Sequence, residues 1–473
     1  MPFLPFTSAR TIDREERAAD RYHRSDAPAV SRIAAPAVIV GSIAVLAAAP
    51  AGALPAFAVQ TGQPCQACHV GGLGPQLTAF GRNFKLHGYT LRTTTFNVPV
   101  SAMAIASFVR TEKDQPPPPA HNFAANDNVA IDQLNLFVAG GFGPHVGAFI
   151  QATYDGVRKV FTWDNLDVRA TTDAQIRGQD VVLGVSLNNN PTVQDAWNTT
   201  PAWGFPYTTS TLAPSPGASP VLDGAFAQKV LGLTAYAWIN DAYFVEAGAY
   251  GSPGASTLIH LGADPTAPGD IEGLAPYARL AYQRALAGGT LEVGALGLQA
   301  NLHPGLDHTT SLTDHYTDLG LDASYIKALA NTDVITFNAR YLHEQQALQA
   351  SCLIAGATSG CANNKLDEFR ADASYYWRNT IGATLGAFDT TGNSNAVVFA
   401  GNRTFNPNSS GLNLQLDATP FGAESQPARR VNVRLGIQYT LYSTFNGARS
   451  NFDGAGTKAS DNNTLRVFSW FAF

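Results

Sequence analysis

The chain ends in the stretch NTLRVFSWFAF, residues 463–473, in which apolar and polar side chains alternate up to a terminal aromatic residue. Successive side chains of a β-strand point to opposite faces, so residues two apart share a face. Leu465, Val467, Phe471 and Phe473 therefore lie on one side of an extended segment. This period of two predicts that the chain finishes in a β-strand with one apolar face.

The same alternation recurs upstream, most clearly in residues 430–442, 368–378 and 318–325. Their apolar faces carry Val431, Val433, Leu435, Ile437, Tyr439 and Leu441, then Phe369, Ala371, Ala373, Tyr375 and Trp377, then Leu319, Leu321, Ala323 and Tyr325. A soluble sandwich would turn such faces inward, whereas aromatic residues at strand ends are typical of the interfacial girdle of an outer-membrane barrel. The terminal aromatic residue also resembles the C-terminal signature of outer-membrane proteins, so we predict an all-β outer-membrane barrel.

Alternating segments predict sixteen antiparallel strands in the barrel, which occupies residues 96–473. The strands start near residues 98, 129, 145, 161, 180, 227, 242, 274, 290, 316, 333, 366, 380, 411, 430 and 463. Short connections such as 141–144 alternate with long ones such as 189–222, as periplasmic turns alternate with outer loops in such barrels. An even number of strands leaves both ends of the barrel chain in the periplasm.

The composition excludes several other classes of protein. Charged residues are 14% of the chain, against ~25% in ordinary globular proteins, while glycine (43 residues) and aromatic residues (10%) are abundant. The mean hydropathy of -0.05 and the lack of a long apolar run after residue 58 exclude a polytopic helical membrane protein. The net charge of -6 provides no basic surface for nucleic acid.

Residues 1–58 are predicted to be a cleaved signal peptide. Residues 35–58 carry no charge and end in Ala56-Phe57-Ala58, an A-x-A cleavage pattern. A membrane anchor is the alternative, although Pro and Gly interrupt the apolar run. The charged region before it is long for a signal peptide, which leaves the translation start open. Export permits disulfides in the mature protein.

Seven residues after the predicted cut lies the pentapeptide Cys65-Gln66-Ala67-Cys68-His69. The C-x-x-C-H spacing attaches haem covalently in c-type cytochromes, a reaction that bacteria carry out outside the cytoplasm. In such a site Cys65 and Cys68 form thioethers to the haem vinyl groups, and His69 is the proximal iron ligand. The alternatives are a redox-active C-x-x-C, which normally lies in a βαβ context, and a zinc site, which needs a second ligand pair nearby.

Residues 59–95 form the predicted haem segment. Within it, residues 74–90 are predicted to form one helix that starts at Pro75 and ends before Gly88, with an apolar stripe of Leu77, Phe80 and Phe84. A unit of fewer than about 40 residues is too small to bury its own core, so we expect the barrel to enclose it.

The sixth ligand of the haem iron is open between three possibilities. Met103 is the sole thioether left once Met1 is removed with the signal peptide. His87 is the nearest alternative and would give a bis-histidine iron of lower potential. An open or water-filled position is the third.

The predicted loops and polar faces carry further candidates. Cys352 and Cys361 lie nine residues apart in one outer loop and are predicted to form a disulfide, with a metal pair as the alternative. Residues 188–206 include two tryptophans and a phenylalanine, and either fold into the pore or form an aromatic surface knob. Lumen carboxylates are suited to holding a hard cation such as Fe(II), or pair with Arg370 and Arg434; they are Asp318, Asp322, Glu368 and Asp372.

Some motifs exclude a function. His343-Glu344-Gln345 begins like a zincin H-E-x-x-H motif, but the second histidine is replaced by Ala347. No protease is therefore predicted, and the sequence shows no phosphate-binding glycine loop and no serine triad.

Taken together, these features resemble the fused monohaem cytochrome c–porin family of outer-membrane proteins, which includes bacterial outer-membrane iron oxidases. The architecture matches over essentially the whole mature chain. In residues, the match rests on CQACH at 65–69 and on LTAFGRNFKLHGY at 77–89. The resemblance implies one covalent haem c on Cys65, Cys68 and His69, held in the lumen of the barrel and entering from the periplasmic side.

The thickness of the membrane limits what such a haem can do. The apolar band is roughly 25 Å tall, too thick for an electron to cross efficiently in one step, whereas a haem in the lumen is reached from both sides. We therefore predict an outer-membrane electron conduit, surrounded by lipid, from an extracellular donor such as Fe(II) to a periplasmic c-type cytochrome. The alternatives are a solute porin with a structural or gating haem plug, and a haem enzyme of another kind, for example peroxidase-like.

Overall fold

A computed structural model of the chain describes residues 56–91, 100–357, 361–423 and 431–473. Most of the predicted signal peptide and the predicted boundary between residues 95 and 96 lie outside the described residues. The helices are α1 (Ala56–Thr61), α2 (Cys65–Cys68), α3 (Ala79–Leu86), α4 (Ala255–His260) and α5 (Gln349–Ile354). Among the described residues, no helix is both long and apolar enough to cross a membrane.

Strands account for about half of the described chain. They are β1 (Val100–Thr111), β2 (Asn128–Gly141), β3 (Val146–Asp155), β4 (Val160–Ile176), β5 (Gln179–Asn188), β6 (Leu231–Ile239), β7 (Tyr243–Gly251), β8 (Asp270–Ile271), β9 (Ala275–Leu286), β10 (Gly289–His303), β11 (Asp314–Ala328), β12 (Val334–Leu348), β13 (Asn363–Trp377), β14 (Ile381–Gly392), β15 (Ser409–Ala418), β16 (Asn432–Thr444) and β17 (Thr464–Ala472). Each long strand pairs antiparallel with the next, and β1 pairs with β17 to close the sheet. The two-residue β8 adds a short pairing to β10.

The predicted sixteen-stranded barrel is confirmed. Every long strand begins within four residues of its predicted start; the largest difference is at β6, which begins at Leu231 instead of residue 227. Alternating polarity located the strands because one face of each contacts the lumen and the other faces outward.

The barrel is apolar outside and polar inside. On β11, Leu319 and Leu321 are 59% and 60% exposed on the outer surface, whereas Asp318 and Asp322 are buried in the interior. Trp377 is likewise exposed on the outside, next to a turn. An outward apolar surface around a charged interior is the arrangement of a barrel that spans an outer membrane.

The two ends of the barrel differ in the length of their connections. One end, the short-turn end, carries tight turns such as 177–178 and 378–380. The other, the long-loop end, carries 112–127, 189–230 and most of the other long connections, with the tight connection 156–159 as an exception.

Two parts of the chain lie inside the barrel. Residues 56–91, the N-terminal segment, occupy the short-turn end, and residues 189–230, the inner loop between β5 and β6, fold inward from the long-loop end. They meet in one apolar cluster, in which Leu86 of the N-terminal segment packs with Ala196 and Trp197 of the inner loop. Trp197 is 2% exposed, so the aromatic residues of this loop belong to the lumen and do not form a surface knob.

Candidate functional site

The C-x-x-C-H pentapeptide forms a compact turn within the N-terminal segment. Cys65–Cys68 is the single turn α2, closed by a hydrogen bond from the His69 amide to the Cys65 carbonyl at 2.9 Å. His69 is extended and pairs as an isolated β-bridge with Leu77. The amide of Thr78 donates to the Cys68 carbonyl at 2.9 Å, so the chain after His69 folds back onto the cysteine turn.

The side chains of the pentapeptide are suited to a covalent haem. Cys65 and Cys68 are free, half-buried thiols, and burial raises the pKa of both, that of Cys68 to about 11. Burial lowers the pKa of His69 to about 4, so the imidazole is neutral at pH 7, the form that binds metals. Its buried Nδ1 has no hydrogen-bond partner among the described residues. Two reachable thiols beside a neutral imidazole fit the donor set of haem c.

Helix α3 is shorter than predicted. It begins at Ala79 because the Thr78 side chain caps it, accepting from the Gly81 amide at 3.2 Å. The predicted start at Pro75 is therefore wrong, and Leu77 lies outside the helix. At Gly81 a Cβ would lie 2.3 Å from the Cys68 carbonyl oxygen, so glycine allows α3 to pack directly on the pentapeptide.

Wall residues near the short-turn end hold the pentapeptide. Gln66 donates through Nε2 to the Asn379 carbonyl at 2.7 Å, in the β13–β14 turn. Asn432 donates to the Gly72 carbonyl at 2.8 Å, and Arg434 donates to the Leu73 carbonyl at 2.6 Å. These contacts join the segment to β16 and to the turn between β13 and β14.

Buried charged residues hold the far side of the N-terminal segment. They are not among the site residues predicted from the sequence. Lys85 is 5% exposed and donates through Nζ to the Val193 carbonyl at 2.7 Å and to Asn198 Oδ1 at 2.8 Å, both in the inner loop. Arg169 on β4 donates to the Lys85 carbonyl at 2.9 Å. A cation in the last turn of a short helix normally faces solvent, so nothing in the sequence marked Lys85 as buried.

The two candidate distal ligands lie in different surroundings. Met103 of β1 packs in the same apolar cluster as Leu73 of the N-terminal segment, with Ile105, Phe468 and Trp470. His87 lies at the end of α3 away from Cys68, where its Nδ1 is 2.8 Å from the Asn83 carbonyl and its Nε2 is 3.5 Å from Asp173. It lines a cavity of about 400 Å³ with Asp173, Asp180 and Trp238. Met103 is thus close to the stretch after His69, and His87 belongs to the opposite side of the segment.

The lumen carboxylates named from the sequence are engaged by protein groups. Asp322 pairs with Arg279 at 2.7 Å, and Glu368 pairs with Arg340 at 2.7 Å and with Arg370 at 2.9 Å. Asp318 accepts from the Leu222 amide, and Asp372 accepts from Asn338. Arg434 pairs with Asp417 at 2.9 Å and with none of the four carboxylates named above. In the described part of the chain, no three His, Cys, Asp or Glu side chains are grouped to hold a metal ion.

The structure joins Cys352 and Cys361 in a disulfide, with 5.8 Å between their Cα atoms. This bond closes the loop between β12 and β13, and Cys352 lies within α5. Both cysteines are buried in a small cluster with Leu348, at the long-loop end and away from the pentapeptide.

No protein-family model matches the chain, and no curated protein is significantly similar to it. Among solved structures, the outer membrane channel DcaP of Acinetobacter baumannii is 12% identical over 82% of this chain and 99% of that chain, with a TM-score of 0.46. OprB of Pseudomonas putida is 12% identical over 79% and 94%, with a TM-score of 0.45. OmpT of Vibrio cholerae is 10% identical over 81% and 99%, with a TM-score of 0.41. Similarity this low carries no argument about function, and the fold described above rests on the strand pairings of the chain itself.

Proposed function

We propose that this protein is an outer-membrane electron conduit with one haem c, bound by Cys65, Cys68 and His69, in the lumen of the barrel. The observation that carries the proposal is the position of the C-x-x-C-H pentapeptide, which lies inside a closed barrel with an apolar outer surface. Haem bound there would supply a one-electron carrier between the two sides of an insulating layer. We propose Fe(II) as the extracellular donor and a periplasmic c-type cytochrome as the acceptor.

The residues around the pentapeptide would hold the haem in a fixed position and orientation. Gln66 and the carbonyls of Gly72 and Leu73 are bonded to wall residues of the barrel, so the turn that carries Cys65 and Cys68 is anchored on both sides. Fixed orientation matters because the distance to each redox partner then stays constant. The anchoring residues therefore position the ligands without contacting the donor.

We propose Met103 as the distal ligand. Its apolar cluster with Leu73, Ile105 and Trp470 keeps water away from that side of the pentapeptide. A thioether ligand and a dry environment both raise the reduction potential of haem iron. A high potential is required of an acceptor for electrons from Fe(II).

The proposal also sets the orientation of the barrel. The short-turn end, where Gln66 contacts the turn at Asn379, would face the periplasm. The long-loop end, with the Cys352–Cys361 disulfide, would face outward. Haem attached on the periplasmic side before or during insertion would then lie within reach of a soluble cytochrome.

A solute porin with a structural plug is the second candidate function. It is favoured by the closed barrel itself and by a lumen lined with charges such as Arg279 and Glu368. It is opposed by the packing of the N-terminal segment against the inner loop, because Lys85, Val193 and Trp197 are buried where solutes would have to pass.

Electron transfer across a sealed membrane separates the two candidates. The protein is placed in liposomes that contain oxidised cytochrome c, and Fe(II) is added outside. We expect reduction of the trapped cytochrome and a haem c absorbance spectrum in the purified protein. The Cys65→Ala/Cys68→Ala variant should lose both, whereas the matched variant Cys352→Ser/Cys361→Ser, which removes the other two cysteines, should keep both.

A trapped Fe(II)-binding dye completes this test. If the dye responds at the same rate with both cysteine variants and no haem is found, the protein is a porin and the electron-conduit proposal is wrong. If haem is present but the trapped cytochrome stays oxidised, the haem is a structural plug.

A further inference from the structure

Two histidines lie together at the long-loop end of the barrel, far from the pentapeptide. His303 is the last residue of β10, and His308 follows in the connection to β11; their ring centroids are 4.2 Å apart. Each ring contacts its own carboxylate. His303 Nε2 is 3.0 Å from Glu272, and His308 Nε2 is 3.2 Å from Asp270.

The backbone holds this group in place. His303 pairs with Asp270 in the short β8–β10 ladder, and the Glu272 amide donates to the Asn301 carbonyl at 2.8 Å. Gly269 packs so closely that a Cβ there would lie 2.1 Å from the His303 carbonyl oxygen. Strand pairing therefore fixes the backbone of His303 relative to the backbone of the two carboxylate residues.

One ring nitrogen of the histidine pair is buried without a hydrogen-bond partner among the described residues. The His303 side chain is 6% exposed, and its buried Nδ1 has no hydrogen-bond partner among the described residues; the same is true of the buried Asp270 Oδ1. A buried polar atom without a hydrogen-bond partner destabilises the fold unless a ligand or water satisfies it. His308 is 55% exposed, so the group can be reached from solvent on one side.

We propose that His303 and His308 bind a divalent first-row transition-metal ion through their Nδ1 atoms. A histidine that ligates a metal usually gives its other ring nitrogen to a carboxylate, which fixes the ring and raises its basicity. Glu272 and Asp270 occupy that position on Nε2 of the two rings, which leaves Nδ1 of each for the metal. Imidazole ligands suit copper, zinc, nickel and iron ions.

The site would use two protein ligands and complete its coordination with water. No third His, Cys, Asp or Glu side chain of the described residues converges with these two histidines on one centre. Asp307, which precedes His308 in the chain, adds negative charge beside this exposed histidine. Since the group lies at the end that carries the long loops, it would take the ion from outside the membrane, and it does not depend on the presence of haem.

The site is tested with Cu(II), an ion that air does not oxidise. Full-length protein without an affinity tag is titrated with Cu(II) and with Zn(II) by calorimetry, and the Cu(II) complex is examined by electron paramagnetic resonance. The experiment is repeated with Cys65→Ala/Cys68→Ala, so that neither haem nor the thiols contribute. We expect one ion per chain and a nitrogen hyperfine pattern from two imidazoles in both proteins.

The variants assign the ligands. His308→Asn changes an exposed residue and should weaken binding by about tenfold or more while leaving thermal stability unchanged, and His303→Asn should do the same for affinity. His315→Asn, an exposed histidine on the neighbouring strand β11, is the control and should bind as the parent does. The proposal is wrong if no ion binds, or if His308→Asn and His303→Asn both retain the parent affinity; the two pairs are then plain ion pairs.

Discussion

The N-terminal segment and the inner loop fill the same lumen, but several of the wall contacts that hold them differ in charge. Near the C-terminal end of the inner loop, the amides of Val221 and Leu222 donate to Glu344 and Asp318 of the wall. In the N-terminal segment the carbonyls of Leu73 and Lys85 accept from Arg434 and Arg169 of the wall. At these positions carboxylates bind the loop's donors and guanidinium groups bind the segment's acceptors; Arg169 and Arg466 also donate to the carbonyls of Gln194 and Thr208 in the inner loop.

This difference explains why the lumen carries so many buried charges. Irregular backbone inside a membrane barrel needs partners for its N–H and C=O groups, because no helix or sheet supplies them. Arg434 serves the backbone at Leu73 and also pairs with Asp417 at 2.9 Å, which balances its charge. We infer that the wall charges position the two inner segments, and the following experiments test that assignment.

Removing residues 62–91 should have the largest effect. Without the N-terminal segment, the short-turn end of the lumen is empty, so we expect the barrel to conduct ions while the intact protein conducts little or none. Single-channel recordings in planar bilayers measure this. Equal conductance of the two proteins would show that the segment does not occupy the lumen; heat-modifiable migration on gels checks that the shortened chain still forms a barrel.

Arg434→Met should release the N-terminal segment and leave the inner loop in place. The change strands Asp417 and the Leu73 carbonyl, and breaking a buried ion pair costs about 3–5 kcal/mol. Limited proteolysis should then cut within residues 62–91 faster than within the inner loop. Arg378→Met, at an exposed turn, is the control. Equal cutting of both segments in Arg434→Met would contradict the assignment of Arg434 to the N-terminal segment.

Asp318→Asn should loosen the inner loop by a smaller amount. Asparagine keeps one acceptor for the Leu222 amide but loses the charge, so we expect a loss of about 1–2 kcal/mol in unfolding free energy. Proteolysis should now cut within residues 215–225 and spare the N-terminal segment. Preferential cutting of the N-terminal segment instead would show that the acidic wall does not act on the loop.

Met103→Leu should have the smallest effect on stability and a specific effect on the haem. Leucine has a similar volume, so the unfolding free energy should change by less than about 1.5 kcal/mol. Loss of a thioether ligand should lower the reduction potential and alter the haem spectrum. His87→Asn is the matched control and should leave both unchanged; the opposite result would make His87 the ligand.

The wall of the barrel could be predicted almost completely from the sequence. Leu319 and Asp322, for example, fall on opposite faces because β11 keeps a strict period of two, and the outer and inner surfaces impose opposite polarity on those faces. The C-terminal strand follows the same pattern, because Arg466 is buried in the lumen and the residues on either side of it face outward. Local alternation was enough because each strand meets the same two environments.

The interior could be predicted only in part. The pentapeptide is recognised from five adjacent residues, but the burial of Lys85 depends on Val193, which lies 108 residues away. Arg434 likewise gave no sign that it would bond to Leu73, 361 residues earlier in the chain. Such contacts depend on which loop folds inward and where it stops, and no periodic pattern in the sequence encodes that.

The most direct test of the account is whether the segment after His69 lies against the wall at the short-turn end. A Cβ built on Gly72 or on Gly422 lies 3.0 Å from the Cα of the other glycine, so the two backbones are in contact and cysteines placed there come within disulfide reach after a small backbone shift. The variant Gly72→Cys/Gly422→Cys is made in a chain without the four native cysteines, and oxidised in membranes. We expect a cross-link within one chain, identified by mass spectrometry of the joined peptides. Two cysteines that both react with a maleimide but never join would contradict the placement of the C-x-x-C-H segment in the barrel.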